Sequence, residues 1–180
     1  MTSFILRLPR ADVPYWSARY DAAYDADIAA LAPAARARGY LTHDELSQLG
    51  RWKSPRIGRH LADNDSTYVE AVTATALSTP SEQLRLEVLT LLRGVGWPMA
   101  SVVLHFCHAD RYPILDFRAL WSLGVDVPRY YDFPFWWAYT QHCRELAAGA
   151  GVSMRELDRA LWQYSKEKQG GEGSGTEETE

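Results

Sequence analysis

The spacing of apolar residues constrains the fold of this chain more than any other feature. From the N-terminus to about residue 168 they recur three or four positions apart, whereas the strict alternation of a half-buried β-strand is scarce. Close to half of the 180 residues are apolar, which is enough for one compact core but not for two. The pattern predicts an all-α protein in which residues 1–168 form a single compact helical domain.

Three pairs of residues mark helix starts, because a Ser or Thr followed three residues later by Glu satisfies two backbone amides reciprocally. These pairs are Thr42 with Glu45, Thr79 with Glu82, and Ser153 with Glu156. Pro80 also fits the first position of a helix. The predicted helices cover residues 14–37, 43–51, 55–62, 66–77, 80–92, 98–108, 117–123, 134–148 and 154–165.

The last twelve residues, 169–180, are rich in Gly, Ser, Thr and Glu and are predicted to form a disordered acidic tail. They contain four Glu and no Lys or Arg, so they account for the whole formal charge of −4. The helical body is therefore neutral. Such a body binds an anionic partner only if its positive charge is gathered on one face.

The chain contains no run of roughly 20 apolar residues that would cross a membrane, and its start does not have the pattern of a signal peptide. We therefore expect a cytoplasmic protein without a membrane partner, associated with the nucleoid if its source is bacterial. Cys107 and Cys143 are the only cysteines and have no paired spacing. A disulfide framework and an iron–sulfur cluster are thereby excluded.

Two glycines stand two positions apart in Leu92-Arg93-Gly94-Val95-Gly96, between two predicted helices. A hairpin this tight is expected to need a positive φ and a close approach of the backbone to a neighbouring group at both Gly94 and Gly96. The side chain of Val95 would act as a plug between the two helices. The amides that begin the second helix would then hold a phosphate oxygen without any basic side chain. On this fragment alone, an ordinary helical hairpin with a glycine cap explains the sequence equally well.

The longer segment LLRGVGWPMASVVLHFCHADRYPILDFRALWSLG resembles the signature of the helix-hairpin-helix DNA glycosylase superfamily, the endonuclease III and AlkA-like enzymes of base-excision repair. In that family the hairpin opens a helix with a small residue at its fourth position, here Ala100. An essential aspartate follows the second glycine by about twenty residues, as Asp116 follows Gly96. The resemblance covers residues 82–124, with a weaker match in GRWKSPR at residues 50–56.

The resemblance implies a DNA-binding protein that acts as a monofunctional DNA N-glycosylase. Asp116 would stabilise the oxocarbenium-like sugar as the base departs, or orient the attacking water. The alternative is that Asp116 is only a helix N-cap. Bifunctional relatives carry a lysine two residues after the second glycine, which forms a Schiff base with the sugar. Pro98 stands at that position here, so we expect hydrolysis of the N-glycosidic bond without cleavage of the strand.

Other residues are candidates for contacts with the DNA backbone and with an extruded base. The predicted DNA contacts are Arg93, Gly94, Val95, Gly96, Trp97, Lys53 and Arg56, with Arg59 and His60 as possible extensions. A solvated helix face explains the basic residues about as well. Tyr131 and Trp137 are the candidates for a base pocket, although aromatic residues at helical spacing usually fill a core.

No cofactor is expected. The residues His105, His108, His142 and Cys143 formally allow zinc, but their spacing lacks a clear fourth ligand. The expected partner is duplex DNA, intact or with a damaged base, and the sequence does not identify a protein partner. Two alternatives stay open: a helix-hairpin-helix DNA-binding module without the chemistry, and a protein-interaction domain, which the neutral body and seven Trp would suit.

Overall fold

The computed structural model describes residues 3–169, and every regular element within them is a helix. The prediction of an all-α protein is therefore confirmed. The α-helices are α1 (Val13–Ala18), α2 (Ala26–Arg38), α3 (His43–Lys53), α4 (Gly58–Ala62), α5 (Ser66–Ser78), α6 (Glu82–Glu87), α7 (Trp97–Cys107), α8 (Phe117–Ser122), α9 (Phe133–Ala150) and α10 (Met154–Lys168). The predicted tail lies outside the described residues, except for Gln169, which follows α10.

Two of the three predicted capping boxes are confirmed. The hydroxyl of Thr42 accepts the N–H of Glu45 at 3.3 Å, and the carboxylate of Glu45 accepts the N–H of Thr42 at 2.8 Å. Ser153 and Glu156 are bonded in the same way. Their hydrogen bonds hold the pKa of Glu156 below its ordinary value. As a result, α3 and α10 begin at the predicted residues.

The third predicted box, at Thr79, is wrong. Thr79 is extended, with φ −62° and ψ 140°, and ends α5, as expected of a residue that precedes proline. α6 begins instead after Ser81, whose hydroxyl accepts a backbone N–H of the first turn at 3.3 Å. The predicted helix 80–92 is also shorter, because α6 ends at Glu87 and a 3₁₀ turn, Val88–Leu91, follows it.

The prediction of one continuous helix over residues 14–37 is wrong. α1 ends at Ala18, and the side chain of Asp21 accepts the N–H of Ala23 at 3.0 Å. This bond opens the 3₁₀ turn Ala22–Asp25 before α2. A local side-chain bond of this kind competes with helical pairing. The chain therefore turns where apolar spacing alone indicated continuity.

The contacts within the chain divide it into two units. We call residues 21–115 and 131–136 the central unit, and residues 3–20, 116–130 and 137–169 the terminal unit. The first turn of α9 belongs to the central unit and the rest of that helix to the terminal unit. Among the described helices, none combines the length and the apolar character that a membrane crossing requires.

The core of the central unit is built around α7. Ala100, Val102, Val103 and Leu104 of this helix are completely buried, and α7 contacts α2, α3 and α6. Each large aliphatic side chain buried in this way contributes about 1.5–3 kcal/mol. Packing therefore fixes the helix that follows the two glycines.

A buried arginine closes the junction between α5 and α6. Arg85 is 5% exposed and donates to the carbonyl oxygens of Ala76 and Thr79. Its Nη1 also lies 2.6 Å from Nε2 of His108. A buried charge requires such partners because it has lost its hydration. The network gives His108 a structural role in the central unit.

In the terminal unit, α10 packs against α1 and α8. Trp16 of α1, Leu120 of α8 and Leu161 of α10 are all buried. The hydroxyl of Ser122 donates to the carbonyl oxygen of Leu161 at 2.6 Å and so joins α8 to α10. These three helices form the part of the terminal unit that positions Asp116.

His142 on α9 gives the terminal unit a pH-dependent element. Its ring stacks on Phe4 with the centroids 5.1 Å apart, and its buried Nε2 has no hydrogen-bond partner among residues 3–169. Desolvation, the largest cause, lowers the pKa of His142 from its ordinary 6.5; Glu145 opposes this shift and Arg10 adds to it. The folded chain therefore disfavours the protonated imidazole.

The free energy of unfolding is expected to fall as the pH is lowered from about 7.5 to about 5.5. Below the ordinary histidine pKa of about 6.5, the unfolded chain binds more protons than the folded chain, which stabilises the unfolded state. Thermal unfolding followed by circular dichroism measures the effect. The decrease should be smaller in His142→Gln, and His60→Gln, at an exposed position, is the control. Equal decreases in the wild type and His142→Gln would assign the pH dependence to other groups.

Candidate nucleic-acid interface

The glycine turn, residues 92–96, joins the 3₁₀ turn after α6 to α7. The N–H of Val95 donates to the carbonyl oxygen of Leu92 at 3.1 Å and closes the turn. Leu92 and Val95 are 2% and 5% exposed, whereas Arg93, Gly94 and Gly96 are exposed. Val95 is therefore buried, as expected of a plug, and both glycines lie at the surface.

Gly94 has a φ of +77°, which residues with a side chain rarely adopt. A Cβ at this position would lie 2.9 Å from Cβ of His60 and 3.3 Å from the backbone nitrogen of Leu61. The glycine turn thus packs directly against α4. Positive φ and a close approach, both predicted, are confirmed for Gly94.

Gly96 differs from the prediction, since its φ is −88° and its ψ is −177°. It is the N-cap of α7 and has nearly the same conformation as Thr42 and Ser153, the hydroxyl caps of α3 and α10. A Cβ at Gly96 would have no neighbour closer than Cδ of Pro98 at 3.8 Å. Neither the backbone nor the packing of this chain therefore requires glycine at position 96.

The N-terminal end of α7 has no side-chain cap. Gly96 offers no side-chain oxygen, and Pro98 has no N–H. The N–H groups of Trp97 and Met99 belong to the first turn and have no acceptor within the helix. Such an end attracts anions through its backbone donors and through the helix dipole. The arrangement can hold one phosphate oxygen.

Asn64 clamps the glycine turn and was missed by the sequence analysis. Its Oδ1 accepts the N–H of Arg93 at 2.8 Å, and its Nδ2 donates to the carbonyl oxygen of Arg93 at 3.0 Å. Nδ2 also donates to the carbonyl oxygen of Leu61 at 2.9 Å. The amide thereby ties the end of α4 to the turn. No local sequence signal connects residues that are 29 positions apart.

The basic residues predicted to contact DNA lie at several places in the central unit. Lys53 ends α3 and is half-buried, and Arg56 is exposed in the loop before α4. Arg59 and His60 are exposed on α4. The close approach of Gly94 to His60 brings this helix, with its two basic residues, to the glycine turn.

Packing explains two residues of the GRWKSPR stretch. A Cβ at Gly50 would lie 2.1 Å from Cδ1 of Leu61, so glycine lets α3 approach α4. The indole of Trp52 meets Phe106 edge-on, with centroids 5.1 Å apart, and its Nε1 donates to Asp25 at 3.3 Å. Gly50 and Trp52 therefore have structural roles in the central unit.

Asp116 is the N-cap of α8 in the terminal unit. Its Oδ1 accepts the N–H of Arg118 at 2.9 Å, and the residue is half-buried. Burial is the main reason that the pKa of Tyr139 lies well above its ordinary value, and the charge of Asp116 adds to this shift. The N-cap role of Asp116 is confirmed, and its role in catalysis stays a prediction.

The segment that leads to Asp116 is anchored on α7. The N–H of Leu115 donates to Oγ of Ser101 at 2.8 Å, and the Ser101 hydroxyl donates to the carbonyl oxygen of Pro98 at 2.7 Å. Ser101 and Leu115 are completely buried. One hydroxyl therefore connects the first turn of α7 with the residue that directly precedes Asp116 in the sequence.

The two candidates for a base pocket belong to different units. Tyr131 is half-buried beside Phe135 in the central unit, with ring centroids 5.9 Å apart. Trp137 is half-buried in the terminal unit, where the guanidinium of Arg144 lies 5.5 Å from its ring centre. Trp136, between them, is completely buried. This stretch therefore contributes at least one ring to the core.

Comparison of the chain with models of protein families, with curated proteins and with solved structures finds no match. The resemblance to DNA glycosylases therefore consists of the quoted sequence motif. In the structure, its two glycines flank a buried Val95, its small residue Ala100 is completely buried, and its aspartate caps α8.

Within residues 3–169, no group of three or more His, Cys, Asp or Glu side chains could hold a metal ion. Nδ1 of His105 lies 2.6 Å from the carbonyl oxygen of Tyr112 instead. Cys107 and Cys143 are buried and free. Burial, the largest cause, raises the pKa of the Cys107 thiol to about 12 and that of Cys143 even further. Neither thiol is therefore a ready nucleophile or ligand.

Proposed function

We propose that this protein binds duplex DNA by its phosphate backbone at the glycine turn and hydrolyses the N-glycosidic bond of a damaged base. The reaction would leave the strand uncut. The sequence motif supports the choice of DNA, and the geometry of the turn supports the manner of binding. The two parts of the proposal, binding and chemistry, are tested by different substitutions.

The observation that carries the proposal is Gly96. A serine in this N-cap conformation would bond to an amide of the first turn and stabilise α7, as Ser153 does for α10. Gly96 leaves that position empty, exposed and without steric need for glycine. Absence of a side chain is what a phosphate needs if it is to reach the amides of Trp97 and Met99.

The charge of the surroundings fits this ligand. Arg93 is exposed in the turn itself, and Arg59 and His60 are exposed on α4. A neutral protein can thus offer an anion the helix dipole together with the guanidinium groups of Arg93 and Arg59. Contacts of this kind fix the position of a protein on DNA without reading its sequence.

Asp116 would supply the chemistry. A carboxylate close to the anomeric carbon stabilises the positive charge that develops on the sugar, or orients the water that attacks it. Pro98 has no side-chain amine, so a Schiff base with the sugar cannot form at that position. Hydrolysis should therefore yield an intact strand with an abasic site.

Gly96→Ser is expected to retain or raise the melting temperature and to weaken DNA binding. Serine is a better N-cap than glycine, but its hydroxyl would occupy the place of the phosphate oxygen. Loss of a charge-assisted hydrogen bond corresponds to about a ten- to hundredfold weaker affinity. Fluorescence anisotropy of a labelled duplex measures the binding, and circular dichroism measures the stability.

Gly149→Ser, near the end of α9, is the matched control, because it makes the same chemical change at a glycine without positive φ. The atoms nearest to its added Cβ belong to the guanidinium of Arg10, the first at 2.7 Å, and this flexible side chain can move aside. DNA affinity should be unchanged in this variant. If the Gly96→Ser protein is folded and binds DNA with wild-type affinity, the glycine turn is not part of the DNA interface.

A DNA-binding module without the chemistry is the second candidate. The observation in its favour is that Asp116 already has a structural reason to be aspartate, since it caps α8. This candidate shares the effect of Gly96→Ser with the first. The two candidate functions differ in one measurable result, because only the glycosylase releases a base from the DNA.

A further inference from the structure

Four side chains form a row along α10 in the terminal unit. Arg155, Arg159, Trp162 and Lys166 follow one another at spacings of four, three and four residues, which places them on one face of the helix. None of the four is buried, whereas Leu161 on another side of the helix is. The row spans about 16 Å at 1.5 Å per residue.

Aromatic rings order the cations of this row. The guanidinium carbons of Arg155 and Arg159 lie 5.3 and 5.4 Å from the ring centre of Tyr20. Nζ of Lys166 lies 4.9 Å from the ring centre of Trp162, and the guanidinium carbon of Arg118 on α8 lies 5.6 Å from it. We call these six residues the cation–aromatic face: Tyr20, Arg118, Arg155, Arg159, Trp162 and Lys166.

Within the described residues, the carboxylates near this face leave two of its cations without an ion pair. Asp158 pairs with Arg155, and the charge of Glu156 interacts with Arg159. In the described part of the chain, no carboxylate forms an ion pair with Arg118 or Lys166. Both cations lie over the ring of Trp162, and no carboxylate of residues 3–169 neutralises them through an ion pair.

A cation held over an aromatic ring is well prepared to bind phosphate. The ring occupies the face of a guanidinium, whereas the N–H donors lie in its plane and remain able to bond. Because the ring already restricts the side chain of the cation, binding a phosphate costs less side-chain conformational entropy. Arg118 and Lys166 are thus positioned as donors rather than as freely moving surface side chains.

A DNA strand fits this face better than a membrane or an acidic protein does. The row on α10 contains no aliphatic side chain that would enter a lipid layer. Phe117, beside Arg118, is 48% exposed, and the guanidinium carbon of Arg118 lies 5.0 Å from its ring centre. The side of the ring that Arg118 leaves uncovered offers a surface on which an unpaired base can stack. Asp116, the residue proposed to act on the sugar, accepts the backbone N–H of Arg118.

We propose that the cation–aromatic face binds the phosphate backbone of a DNA strand, with Arg118 and Lys166 as the principal contacts. This surface belongs to the terminal unit, whereas the glycine turn belongs to the central unit. The proposal shares with the proposed function the choice of DNA as partner. It does not require the glycine turn to bind.

The test compares Arg118→Gln/Lys166→Gln with Arg7→Gln/Lys168→Gln in the full chain. The control pair also removes one Arg and one Lys, which lie over the rings of Trp121 and Trp16. Lys168 stands two residues beyond Lys166 and so lies on another side of α10. Affinity for a labelled duplex and for its single strand is measured by anisotropy at several salt concentrations.

The slope of log affinity against log salt should become shallower by close to 2 on the duplex in the face variant, at roughly 0.9 for each lost phosphate contact. The single strand should show a change of about 1.4. The control pair should change neither slope. Arg118→Lys/Lys166→Arg, which keeps both charges, should retain the wild-type slope.

Equal slopes for the face variant and the control pair would overturn the proposal. So would a face variant that binds DNA normally but loses binding to phosphatidylserine vesicles or to polyglutamate, because the partner would then be a membrane or an acidic protein. If the face variant has the reduced slope and Gly96→Ser binds DNA with full affinity, the cation–aromatic face is supported and binding at the glycine turn is refuted. If the face variant has the wild-type slope and Gly96→Ser binds DNA more weakly, only binding at the face is refuted.

Discussion

Asp116→Asn is expected to abolish base release while DNA binding and folding are retained. Asparagine caps a helix about as well as aspartate does, so the bond from the N–H of Arg118 is kept. The substitution removes the negative charge that would stabilise the developing cation on the sugar. Loss of a preorganised electrostatic contact of this kind lowers a rate by roughly 100-fold or more.

The measurement uses duplexes that each carry one uracil, one 8-oxoguanine or one alkylated adenine. Alkali reveals the abasic sites left by the wild type, and without alkali the strand should be intact. Borohydride should trap no adduct. Asp65→Asn is the matched control, because Asp65 caps α5 by accepting the N–H of Tyr68. If Asp116→Asn still releases the base at the wild-type rate, Asp116 is not the catalytic residue.

Gly94→Ala is expected to destabilise the protein by about 2–5 kcal/mol. Alanine at a φ of +77° costs about 1–2 kcal/mol. The added Cβ would also lie 2.9 Å from Cβ of His60, which costs about 1–3 kcal/mol more because α4 would have to shift. Urea unfolding followed by circular dichroism measures the loss.

Gly39→Ala separates these two contributions. Gly39, after α2, has a φ of +84°, and a Cβ there would have no neighbour within 4 Å. It should therefore show the backbone cost alone, about 1–2 kcal/mol. If both variants lost the same stability, the contact between the glycine turn and α4 would carry no steric constraint.

Features that depend on a few consecutive residues were predictable from the sequence. The capping boxes at Thr42 and Ser153 are correct because each involves only four residues. The box at Thr79 failed although it had the same pattern. There, Pro80 forces its predecessor into an extended conformation, and Arg85 binds the carbonyl oxygen of Thr79 at the end of α5. The capping-box pattern and the proline therefore predicted different conformations for Thr79. The contact with Arg85 favours the extended conformation that the proline requires.

The candidate site was predictable only in part. Repetition of glycine predicted a tight turn, and it correctly predicted the conformation of Gly94. It could not distinguish the two glycines, because the contact with α4 that separates Gly94 from Gly96 involves residues more than thirty positions away. The cation–aromatic face was missed for a related reason, since Tyr20, Arg118 and Trp162 meet only after folding.

The clamp of Asn64 on Arg93 affects the thermodynamics of ligand capture. The turn forms two hydrogen bonds with a side chain in the loop between α4 and α5, in addition to its contact with α4. Its backbone is therefore ordered before any ligand arrives, and the conformational entropy is lost during folding rather than during binding. A phosphate that reaches Gly96 meets donors that need no rearrangement, so most of each new hydrogen bond's free energy appears as affinity.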